Sequence, residues 1–122
     1  YMFSVKVKDH IMIAHSLPDP FFGPAQHMHG ATYVVEATFK SEALNDKNVV
    51  IDIGEATDIV KNTLSALAYK NLDELPQFKG ILTTTEFLAK YIHEQIVSGL
   101  QTPMFLKVEL FESHVASASY EA

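Results

Sequence analysis

Residues Met2 to Lys8 alternate without a break, with Phe3, Val5 and Val7 on one side and Ser4, Lys6 and Lys8 on the other. A period of two is the signature of a strand with one dry and one wet face. His10-Ile11-Met12-Ile13-Ala14-His15 extends it. The chain therefore opens on a long half-buried strand, and whatever follows must cover its apolar face. Leu17-Pro18-Asp19-Pro20-Phe21-Phe22-Gly23-Pro24 follows, and its prolines and glycine make it a loop. A second strand is expected from Ala31 to Phe39. The apolar run Val49-Val50-Ile51-Asp52-Ile53 reads either as a small strand or as the lead-in to a helix.

Two helices come next. In the first, Ala56, Ile59, Val60, Thr63, Leu64 and Leu67 recur at helical spacing. The second opens at Thr83-Thr84-Thr85-Glu86, where Thr83 and Glu86 have capping-box spacing. It carries Phe87, Leu88, Tyr91, Ile92, Ile96 and Val97 on one stripe and stops near Gly99. Strands from Phe105 to Glu112 and from Val115 to Tyr120 close the chain. The order strand, strand, helix, helix, strand, strand is satisfied most economically by an α+β fold, with both helices on one face of an antiparallel four-stranded sheet. Residues 1–122 form one domain, and no internal repeat or linker divides them. The other sheet face and both edges then need cover, so a homo-oligomer is expected.

Composition excludes several functions. All 9 cationic residues are lysines and the formal net charge is −6, so there is neither arginine nor a basic stripe to hold nucleic acid. No apolar run approaches the roughly 20 residues that span a bilayer, and no charged-then-apolar leader is visible, so a cytoplasmic protein without a membrane partner is the default expectation. The count of 0 cysteines rules out thiolate metal sites and a cysteine nucleophile.

The candidate chemistry lies in three places. Glu112 ends a strand in phase with Leu106, Val108 and Leu110, which aims a carboxylate at the apolar side. A buried carboxylate needs a partner, and a heterocycle with adjacent N–H donors would supply one; the alternative is a strand end that turns out to solvent. Thr84, Thr85 and Glu86 sit where the second helix begins, and simple capping accounts for them without a ligand. His15, His27 and His29 are the third group. His27 and His29 project from one face if extended, and with His15 they would leave zinc its fourth position, whereas surface histidines explain the same pattern without metal. Asp52 reads as a helix-entry residue that complements the dipole.

These pieces fall into an order that resembles the 6-pyruvoyl-tetrahydropterin and 6-carboxytetrahydropterin synthase family. Ile13-Ala14-His15-Ser16-Leu17 is similar to its A-A-H-x-L segment, and His29-Gly30-Ala31-Thr32-Tyr33 to its H-G-H-[NST]-aromatic strand start. Val50-Ile51-Asp52-Ile53 resembles V-x-D-F, Thr83-Thr84-Thr85-Glu86-Phe87-Leu88-Ala89 resembles P-T-x-E-x-x-A, and Glu112 with Tyr120 resembles the terminal E-T…Y. The resemblance implies the T-fold, in which three sheets close a β-barrel, two trimers stack into a hexamer, and sites lie at subunit interfaces. It implies a pterin-like ligand whose amino-pyrimidine edge meets Glu112, with Thr84, Thr85 and Glu86 around the same pocket. It also connects the chain to families that serve tetrahydrobiopterin and queuosine synthesis.

The departures are equally specific. The family's zinc histidines include both members of H-G-H, and here the second is Ala31, so His15 and His29 align while His27 would have to swing inward to restore a third ligand. The family's catalytic cysteine has no counterpart. Its L-D-H-x-x-L-N segment, source of a catalytic aspartate and histidine, reads Leu67-Ala68-Tyr69-Lys70-Asn71-Leu72-Asp73. Alanine cannot carry a proton, and a tyrosine titrating near 10 is a poor substitute. Three functions are therefore expected to compete: a pterin-binding homologue with altered chemistry, in which Tyr69 and His114 are the candidate catalytic side chains; a zinc-dependent lyase rebuilt on His15, His27 and His29; and a non-catalytic structural or sensing subunit.

Overall fold

The computed structural model describes residues 1–122. Strands β1 (Phe3–His15) and β2 (His29–Ser41) are followed by helices α1 (Ile53–Ser65) and α2 (Thr85–Gly99), and then by strands β3 (Phe105–Ser113) and β4 (Ala116–Glu121). The four strands form one antiparallel sheet in chain order, β1-β2-β3-β4, and both helices are carried on the β2–β3 connection. This is the T-fold architecture expected from the sequence.

Register comes directly from the alternation. β1 pairs β2 continuously from Phe3↔Ser41 to His15↔His29, so odd-numbered residues of both strands share one face. On that face Val7, Ile11, Ile13, Tyr33, Val35, Ala37 and Phe39 are buried, and Leu106, Val108 and Leu110 of β3 join them. From α1 they meet Ala56, Val60 and Leu64, and from α2 Leu88, Ala89, Ile92 and Ile96. The opposite face has no helix. There Glu36 is gripped by Lys6 at 3.1 Å and Lys8 at 3.2 Å. Partial burial works against the Glu36 charge, but the two lysine hydrogen bonds outweigh it and hold the carboxyl below its ordinary range.

The helix starts refine the sequence reading. Val49–Ile53 is not a strand: Val50 and Ile51 are buried as a lead-in, and Asp52 caps α1 by accepting the Glu55 N–H at 2.9 Å. For α2 the cap is Thr84, which accepts the Phe87 N–H at 3.1 Å, and not Thr83 as the capping-box spacing suggested. Thr83 is buried with its hydroxyl on His15, and that contact moves the cap one residue along. Val97 lies at the exposed margin of the α2 stripe, while His93, absent from the expected stripe, is buried. The proline-rich loop contains a short 3-10 turn, Pro20–Gln26, interrupted by Gly23 at φ 54°, a conformation open to a residue without Cβ.

After α1 the chain turns through Tyr69, itself at φ 61°, and docks on the outer edge of β1. The Tyr69 N–H donates to the Met12 carbonyl at 2.6 Å, and the Ala14 N–H donates to the Lys70 carbonyl at 3.0 Å. One step along, the His10 N–H is taken by the Asp9 carboxylate at 2.7 Å. Half of an edge expected to be bare is thus closed by the chain itself. No helix is long and apolar enough to cross a membrane.

Ile92 is fully buried between α2 and the sheet. Ile92→Ala is expected to lower stability by about 2–5 kcal/mol, read as a shift in the urea midpoint at unchanged m-value.

Candidate functional site

One end of the sheet gathers residues that are far apart in sequence. β1 ends at His15, β2 begins at His29, the chain enters α2 at Thr84, and β3 reaches Glu112. Together with Leu17, Phe22, Ala25, Tyr33, Thr85 and Glu86 they line a pocket of about 250 Å³. A larger cleft of about 470 Å³ lies around Lys47, Asp52 and Met104, but none of the histidines or threonines singled out above borders it. The residues singled out from the sequence gather at the smaller pocket.

Glu112 sits where β3 loses its regular pairing. Phe111 pairs Ser117 and Ser113 pairs Ala116, so Glu112 is the extra residue of a β-bulge. A bulge bends its strand and re-aims side chains. In the isolated chain Glu112 is exposed but borders the pocket, which combines the two alternatives weighed from the sequence. Beside it stands Tyr33, in phase with His29 on β2 and almost wholly buried. Burial pushes the Tyr33 phenol above its usual range; the hydrogen bond with Thr85 opposes this, while the Glu112 and Glu86 carboxylates push it further up. It stays protonated, and so remains a donor, throughout the neutral range. In the sequence Tyr33 is marked by its place in the period-two row and as the aromatic that closes His29-Gly30-Ala31-Thr32-Tyr33.

Thr84 and Thr85 begin α2 and line the pocket, which sets the positive end of the helix dipole beside it. Glu86 lies in that first turn and complements the dipole.

The two histidine rings meet edge to face with centroids 4.6 Å apart, as expected for residues directly paired across β1 and β2. His15 is only 3% exposed, and its Nδ1 is 2.9 Å from the Thr83 hydroxyl. Burial lowers its pKa and the neighbouring His29 lowers it further, against the opposing pull of Asp73 and the bond to Thr83. Asp73 is itself held, accepting from the Ser16 N–H and hydroxyl. His29 Nδ1 lies 2.8 Å from the His27 carbonyl. A carbonyl only accepts, so Nδ1 carries the hydrogen and Nε2 of the neutral ring keeps its lone pair.

The other named residues lie elsewhere. His27 is exposed and does not border the pocket; it reaches the site through its carbonyl. Tyr69 is 82% exposed and outside the pocket lining. His114 lies in the β3–β4 turn, beside a shallow depression on the helix-free face that it shares with Thr32 and Glu112. Ala68 is half-buried against the core.

A sequence model of the family described as 6-pyruvoyl tetrahydropterin synthase matches residues 4–122. The 6-pyruvoyl tetrahydrobiopterin synthase of Dictyostelium discoideum is 32% identical over 94 residues, which is 75% of this chain and 69% of that protein. The 6-carboxy-5,6,7,8-tetrahydropterin synthase of Bacillus subtilis (strain 168) is 26% identical over 103 residues, 84% of this chain and 70% of that one. Among solved structures, Caenorhabditis elegans 6-pyruvoyl tetrahydropterin synthase superposes with a TM-score of 0.90 at 22% identity, covering 100% of this chain and 96% of that one.

The His15 environment makes stability pH-dependent. Its folded pKa lies below the unfolded value of about 6.5, so the unfolded chain takes up the proton first. The contribution of neutral His15 is therefore complete above that value and is lost as pH falls through the folded one. Urea midpoints measured from pH 7.5 to 5 should fall less steeply for His15→Gln than for wild type; parallel slopes would contradict the burial effect.

Proposed function

The chain belongs to the 6-pyruvoyl tetrahydropterin synthase family, and from that membership we propose that its pocket binds a pterin-like heterocycle with chemistry altered from that of the synthases. The observation that carries the reading is the convergence of Glu112, Thr84, Thr85 and Glu86 on one pocket, from a strand end and a helix start. The Glu112 carboxylate takes the edge of the ring that presents adjacent N–H donors, a charge-assisted pair of hydrogen bonds. Thr84 and Thr85 offer hydroxyl and backbone partners to the rest of the ring. His15 and His29 face whatever the ring carries beyond that edge. At about 250 Å³ the pocket is just below the roughly 300–1,000 Å³ typical of drug-sized ligands, which suits a small bicycle.

The same pocket is open on one side, and the sheet leaves its helix-free face and parts of both edges uncovered. A homo-oligomer, trimer or hexamer, covers these surfaces and completes the wall around the ligand.

The altered chemistry rests on residue types. Ala68 has no proton to give, Tyr69 and His114 lie outside the pocket lining, and the chain has no cysteine. Among the histidines, His15 and His29 alone border the pocket, so any turnover draws on them.

Titration with a fluorescent pterin tests the reading. Glu112 is exposed, so Glu112→Ala should fold with an unchanged melting temperature. Loss of a charged hydrogen-bonding partner worth about 1.5–3 kcal/mol should weaken binding by about 10- to 150-fold. An unchanged affinity removes Glu112 from the site and the proposal with it.

A further inference from the structure

We propose that residue 31 sets the metal chemistry of this chain, and that with Ala31 in place the pocket is a metal-independent, two-imidazole site. The reasoning starts from register. His29, Ala31 and Tyr33 occupy successive inward positions of β2, and across the sheet they face His15, Ile13 and Ile11. A side chain at position 31 thus projects on the face that carries both imidazoles, one inward step of roughly 6.5–7 Å along the strand from His29. What stands there is a methyl group, half-buried against the core.

Two ring nitrogens are already prepared. His29 Nδ1 is committed to the His27 carbonyl and His15 Nδ1 to the Thr83 hydroxyl, which leaves both Nε2 atoms without a partner in the chain. Such outer hydrogen bonds are what orient histidines toward a metal. The count nevertheless stops at two. A catalytic zinc site takes three protein ligands and keeps one open position. His27 is tied back through its own carbonyl with its ring outside the pocket, and no group of 3 or more His, Cys, Asp or Glu side chains converges anywhere in the chain. Asp73, the carboxylate that pulls on His15, is occupied by Ser16.

The two Nε2 atoms are instead available to the ligand. In its neutral form His29 presents an acceptor, so it meets a hydroxyl or amine hydrogen, and neither atom needs a cation between it and the bound molecule. The zinc family site and the present site then differ by one side chain, at a position the sheet keeps in register.

The donor count holds whichever heterocycle the pocket takes, so metal analysis separates this inference from the pterin reading. Wild-type protein is incubated with excess zinc, desalted, and measured by elemental analysis, with Ala31→His treated in parallel. The wild type is expected to retain less than about one zinc per ten chains and the variant close to one per chain, and His15→Ala placed on the variant should remove it. Zinc near one per wild-type chain overturns the proposal. If Ala31→His does not fold, the wild-type value alone decides. A pterin titration with and without EDTA gives the second readout: an unchanged dissociation constant supports metal independence, and a weakening of tenfold or more refutes it.

Discussion

The pairing of β1 with β2 is the constraint on which the remainder rests. A slip of β1 by one residue would turn Val7, Ile11 and Ile13 to the wet face and bring Lys6 and Lys8 beneath the helices. Burying those charges would cost far more than the strands gain from hydrogen bonding. The same register sets His15 against His29 at the far end, so the site geometry is a by-product of core packing some residues away. The pocket's two imidazoles are positioned by Val and Phe side chains that never touch them.

What could be read from the sequence follows from this. Strands, helices and their order were visible because each depends on a short-range period. Glu112 was visible as a carboxylate in an apolar row, but its bulge was not, since the extra residue shows only in the pairing with β4. Thr83 and Thr84 exchanged roles for a similar reason. Local spacing favours Thr83 as the cap, and only the arrival of His15 from a distant strand occupies its hydroxyl. His93 is polar and interrupts the apolar stripe of the sequence, yet its Nε2–H donates to the Leu106 carbonyl at 3.0 Å and its ring packs on Tyr120. Tyr69 stands in an aligned motif and His114 is an imidazole next to a strand end; the fold sets both outside the pocket lining.

The pocket collects opposing electrical preferences in a small volume. Two carboxylates, Glu86 and Glu112, share it with the positive end of α2 and with a buried imidazole held toward neutrality. Tyr33 supplies a phenol that burial first, and then these same carboxylates, keep protonated. On the pterin reading proposed above, N–H donors of the ring would meet the Glu112 carboxylate, while the Thr84 and Thr85 hydroxyls would suit its acceptors.

The docking of Tyr69 and Lys70 on Met12 and Ala14 has a consequence for β1 as a template. Outward-pointing amides alternate along an edge strand, and those of His10 and Ala14 are already occupied. A neighbouring strand can lie only along the stretch from Ser4 to Lys8, and the crossing segment acts as a doorstop beyond it. Stacking of chains along this edge is thereby given a fixed starting point by backbone obstruction alone, and sliding past it into an open-ended ribbon is blocked.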